Sequence, residues 1–88
     1  MTSAVMEGTE LRSTPHLAGL PLTPVERRVI ALTAAGRTLA QIEAELGMST
    51  ASVRRNRVRI FEKLGASTAP QAVAIWLGRE ALRVLELH

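Results

Sequence analysis

The stretch STASVRRNRVRIFEKLG, residues 49–65, sets four arginines within six positions, Arg54, Arg55, Arg57 and Arg59, beside Val53, Val58, Ile60 and Phe61. At about 100° per residue, Val53, Ile60 and Leu64 fall on one narrow stripe of a helix. Ala51, Arg55, Val58 and Glu62 lie on the opposite side, with Arg54 and Arg59 flanking them. The stretch therefore predicts an amphipathic helix over about 50–64, capped by Ser49 and stopped by Gly65. Arg57 points nearer the apolar stripe, so its stem is expected to pack while its head reaches water.

The segment before it, RTLAQIEAELG, residues 37–47, predicts a shorter helix. Thr38 and Gln41 have the spacing of a capping box, Leu39, Ile42 and Leu46 mark the buried stripe, and Gly47 closes the helix after about two turns. A short helix, a tight turn containing GMS and a basic amphipathic helix together make the helix-turn-helix pattern. Earlier still, LTPVERRVIALTAAG, residues 22–36, opens with Thr23 as cap, Pro24 in the first position and Glu26 completing the box. Val25, Val29 and Leu32, with Ile30 beside them, are its expected core residues, and Gly36 its stop.

STAPQAVAIWLGREALRVLEL, residues 67–87, predicts a long last helix capped by Ser67 or Thr68, with Pro70 in its first turn. It is more apolar than one core-facing stripe requires. Val73, Leu77 and Val84 can face the core. Ala74, Gly78, Ala81, Leu82 and Leu85 form a second face, which reads either as a partner surface or as a helix wedged more deeply into its own domain. Residues 1–20 hold Gly8, Pro15 and Gly19 without a sustained period. They are expected to be a flexible arm with at most a short docked stretch around Leu17–Leu20. The expected fold is all-α: a four-helix, bundle-like domain over 21–88 with a central helix-turn-helix and an extended C-terminal helix.

Charge follows the same division. The chain of 88 residues has a formal net charge of +3. Within 48–64 the four arginines and Lys63 against Glu62 give +4, whereas the other segments are balanced or carry −1. A basic patch confined to one element is the footprint of a nucleic-acid binder, although a solvated helix face has the same composition. Ten of the eleven basic residues are arginine, which can fork onto guanine O6 and N7 or pair with phosphate. Helix N-terminal amides at Thr38 and Ser49 suit phosphates.

An enzyme is hard to build from this inventory. There is no Asp, Tyr or Cys, the histidines are His16 and His88, and no glycine-rich phosphate loop occurs. No metal site and no cofactor are expected. Neither a membrane-length apolar run nor a signal-peptide pattern is present, and mean hydropathy is +0.13. The expectation is a soluble, cytoplasmic, nucleoid-associated protein.

From Leu22 to about Leu77 the sequence resembles the LuxR/GerE-type DNA-binding domain. LTPVE at the opening, AAG before the second helix, LGMS at the turn, SVR in the third helix, KLGA at its end and QAV in the fourth carry the likeness. The resemblance implies a four-helix domain that binds promoter DNA as a dimer, with the third helix in the major groove. Val53 matches the family's buried valine, so Arg54, Arg55 and Val58 are the implied DNA contacts, and Arg59 flanks the same outward face. Ser49 and Thr50, with Thr38 and Gln41, match positions near phosphates. The family's last helix commonly forms the dimer contact, matching the face of Ala74, Gly78, Ala81, Leu82 and Leu85. Glu43 stands where the family usually has a small alanine, and Asn56 where it usually has histidine. With no receiver or ligand-sensing domain ahead of the motif, a stand-alone member is expected.

The leading expectation is a sequence-specific regulator of transcription that binds double-stranded DNA as a dimer reading half-sites about 10 bp apart. RNA polymerase or another regulator is a further candidate partner. The alternatives are an adaptor whose basic face docks on the transcription machinery, and a phage-type helix-turn-helix protein with another task.

Overall fold

The computed structural model describes residues 17–87, which form four helices: α1 Pro24–Ala34, α2 Leu39–Leu46, α3 Thr50–Leu64 and α4 Ala69–Glu86. Residues 1–16 of the expected arm, and both histidines, lie outside the described residues.

Each helix begins where its side chains satisfy the orphan amides of the first turn. Thr23 Oγ1 accepts the Glu26 N–H at 3.1 Å and Glu26 Oε1 accepts the Thr23 N–H at 2.8 Å. Thr38 and Gln41 repeat the exchange at 3.2 and 2.8 Å. Ser49 Oγ takes the Ser52 N–H, and Thr68, rather than Ser67, caps α4 by accepting the Gln71 N–H. The helix-turn-helix corner needs a left-handed residue after α2. Gly47 supplies it with φ 64°, and the Glu43 carbonyl accepts the N–H groups of Gly47 and Met48.

α3 is central and packs against each of the other three helices. Val53, Ile60 and Leu64 on α3 meet Val29 and Ile30 on α1, Ile42 on α2 and Ala72 on α4 in one buried cluster closed by Leu22. Leu39, Leu46, Met48, Phe61, Ile75 and Trp76 pack around its edge. The Leu17–Leu20 stretch docks as a turn, the Gly19 N–H donating to the Lys63 carbonyl at 2.9 Å.

Three expectations change. Val25 is 45% exposed, because the inward direction of α1 runs through Glu26, Val29 and Ile30, and Val25 stands one position, about 100°, off it. Leu77 and Val84 do not reach the core and are 50% and 53% exposed. α4 instead turns Ala72 inward, with Val73, Ile75 and Trp76 beside it. Lys63 does not belong to the exposed basic surface. It is 8% exposed, and its Nζ donates to Glu26 Oε1 at 2.7 Å and to the Pro21 carbonyl at 3.2 Å.

Candidate nucleic-acid interface

α3 presents the predicted face. Ala51, Arg54, Arg55, Val58 and Arg59 are exposed along one side, while Val53 and Ile60 are buried on the other. The amphipathic spacing causes this: once Val53, Ile60 and Leu64 fix the helix on the core, Arg54, Arg55 and Arg59 turn outward. Arg57 is half-buried with its guanidinium 5.8 Å from the centre of the Phe61 ring, within cation–π range, so its stem packs as expected. Asn56 is also half-buried and donates through Nδ2 to the Ser52 carbonyl at 2.9 Å, which turns it back onto its own helix. Beside the face, Leu17 and Leu20 line an open groove with Arg55, Val58 and Arg59.

The expected phosphate-side residues gather at two helix starts. Thr38 and Gln41 are exposed at the N-terminus of α2 and tied to each other by their capping box. Ser49 and Thr50 are exposed at the N-terminus of α3. Ser49 Oγ donates to Ser52 Oγ at 3.0 Å while it caps the helix. Thr50 Oγ1 donates to Glu43 Oε2 at 2.8 Å. Glu43 thus ties α2 to the first turn of α3.

The placements of Glu43 and Lys63 do not follow from spacing alone. Glu43 could be flagged only as an acid at a position where a small residue is usual. Lys63 sits next in sequence to Leu64 and three residues after Ile60, so its stem lies along the apolar stripe; that is the signal for burial. Burial by itself would raise the Glu26 carboxyl, but the Lys63 ammonium and the Thr23 N–H and hydroxyl outweigh it and hold Glu26 below its ordinary value of 4.5. With its charge neutralised inside the fold, Lys63 adds nothing to attraction for phosphate, and the outward charge of α3 rests on the arginines.

The far side of the domain differs in character. Along α4, Ala74, Leu77, Gly78, Ala81, Val84 and Leu85 are all exposed, and none of them is charged. Leu82, 60% exposed, borders them and also lines a cavity of about 330 Å³ with Leu22, Trp76 and Arg79. Among the described residues no helix is long and apolar enough to cross a membrane, and no group of His, Cys, Asp and Glu could hold a metal ion.

The family described as "Bacterial regulatory proteins, luxR family" matches residues 20–76, which run from the docked turn into α4. The chain is 34% identical over 77 residues to a protein of Streptomyces halstedii named "Probable HTH-type transcriptional regulator GfsR", an alignment covering 88% of this chain and 30% of that relative. The chain therefore spans less than a third of that relative's length. No solved structure matches the chain.

Proposed function

The chain belongs to the luxR family of bacterial regulatory proteins, and from that premise we propose that it is a sequence-specific regulator of transcription that lays α3 in the major groove of double-stranded DNA as a homodimer. The observation that carries the reading is the exposure of Arg54, Arg55, Val58 and Arg59 on one face of α3, directly after a capped helix-turn-helix corner. Arg54 and Arg55 stand in the first half of the helix, the part that reaches deepest in this docking mode. In this reading they contact base edges or phosphates, Val58 packs on a thymine methyl group or sugar, and Arg59 pairs with the backbone. Thr38, Gln41, Ser49 and Thr50 border the phosphates at the starts of α2 and α3. The regulator works in the cytoplasm, on the nucleoid.

The dimer reading rests on the pattern of α4. Ala74 and Ala81, Leu77 and Val84, and Gly78 and Leu85 are each separated by seven residues, so the exposed residues form a seam with the heptad period of paired helices. A Cβ at Gly78 would meet nothing within 4 Å, so nothing in the chain's own packing calls for glycine there. Mid-helix glycine costs about 1 kcal/mol relative to alanine, and a second helix backbone approaching closely would offset that. Leu82 extends the seam at its edge. Two copies joined along α4 would present two α3 helices to successive half-sites.

Genome-wide capture of bound fragments tests the proposal. The expected result is a recurrent two-fold symmetric sequence with half-sites about one helical turn apart. Capture of fragments with no shared sequence would contradict it, and capture of polymerase without DNA would favour the adaptor.

A further inference from the structure

Glu43 lies four residues before the glycine of the helix-turn-helix corner. Its side chain is half-buried, and its Oε2 accepts the hydroxyl of the exposed Thr50 at 2.8 Å. The bond fixes a carboxylate against the N-terminal turn of α3. That helix end carries outward-pointing amides and a positive dipole, the features that attract a DNA phosphate. Glu43 is held by this neutral hydroxyl and is not part of the ion pairs Arg37–Glu45, Lys63–Glu26 or Arg83–Glu80.

A fixed negative charge there has two opposite consequences. It complements the helix dipole and steadies the corner of the free protein. It also opposes any phosphate that approaches the same helix end, whatever the base sequence. We propose that Glu43 is a specificity-determining residue: it depresses affinity for DNA in general, so that stable binding depends on the contacts made by the arginines of α3. The inference rests on the DNA-binding reading above. It concerns the sequence-independent part of binding, so no knowledge of the operator is needed to test it.

The full chain and the variants Glu43→Gln, Glu43→Ala and Glu86→Gln are titrated against a labelled random-sequence duplex of about 30 bp, three helical turns, by fluorescence anisotropy over a salt series. Both Glu43 variants are expected to bind about three- to tenfold more tightly at low salt, with a gain that shrinks as salt screens it. Glu86→Gln removes an equal charge from the exposed C-terminal end of α4 and should stay within about twofold of the native chain. Circular dichroism should show the same helix content throughout.

Unchanged or weaker binding by the Glu43 variants, while the native chain binds, overturns this proposal alone. A gain by Glu86→Gln equal to that of Glu43→Gln would overturn it too, since net charge and not the place of the carboxylate would be the cause. Loss of helix in both Glu43 variants would make the carboxylate a folding element and likewise overturn it. If no form of the chain binds the duplex at the lowest salt, the DNA-binding reading itself fails and the proposal falls with it.

Discussion

Replacing Lys63 by methionine tests the least expected feature of the fold. Methionine preserves most of the volume and the alkyl stem but removes the ammonium, leaving the Glu26 carboxylate, 1% exposed, with the hydrogen bond it accepts from the Thr23 N–H. Breaking a buried ion pair from one side costs about 3–5 kcal/mol. The surviving Thr23 N–H bond to Glu26 Oε1 places this case at the lower end, and the Pro21 carbonyl also loses its bond from Nζ. A loss of about 3–4 kcal/mol at pH 7 is therefore expected, a large part of the stability of a domain this small.

The sign of the pH dependence gives a second handle. In the native chain the folded-state value of Glu26 is lowered, so its contribution is fully present above 4.5 and is lost as pH falls through the folded value. In Lys63→Met the burial that opposes ionisation is no longer outweighed by the ammonium, so the folded value rises above the unfolded one. The variant should then recover stability as pH falls toward about 4.5, the reverse of the native trend. Urea unfolding followed by circular dichroism measures both. A change under about 0.5 kcal/mol at pH 7, or a deficit that does not shrink on acidification, would refute the reasoning.

Two other substitutions probe the core and the proposed dimer seam. Val53 is fully buried between α3 and its neighbours, so Val53→Ala should cost about 1–3 kcal/mol in denaturant titration and lower DNA binding only in step with the folded fraction. Leu85, 68% exposed, should tolerate glutamate without loss of helix by circular dichroism, yet Leu85→Glu should give a monomer by analytical ultracentrifugation, because a two-fold contact sets each new charge against its copy. A variant that stays dimeric would move the contact off α4.

Helix ends and the core of α3 were legible because each is written in local chemistry. Thr23 with Glu26, Thr38 with Gln41, and the stops at Gly47 and Gly65 need only neighbours a few residues away, and the structure has all of them. The inward face of α3 was legible because one stripe is apolar and the rest is charged. α4 misled for the opposite reason. It is apolar nearly all round, so periodicity alone could not say which side faced the core, and Leu77 and Val84 were placed inward. The Lys63–Glu26 pair spans 37 positions, and no local rule links residues so far apart. Glu43 could be seen as unusual, but only the fold brings Thr50, seven positions on, within hydrogen-bond reach.

The central claim is that the exposed arginines of α3 hold DNA. It is tested most directly by the affinity of the native chain and of Arg55→Ala for a fragment recovered by genome-wide capture, across a salt series. Affinity of the native chain should fall steeply with salt, and Arg55→Ala should lose about 1–3 kcal/mol of specific binding with an unchanged unfolding midpoint. Binding of the native chain that is indifferent to salt, or an Arg55→Ala variant that binds the fragment as tightly as the native chain, would contradict the account.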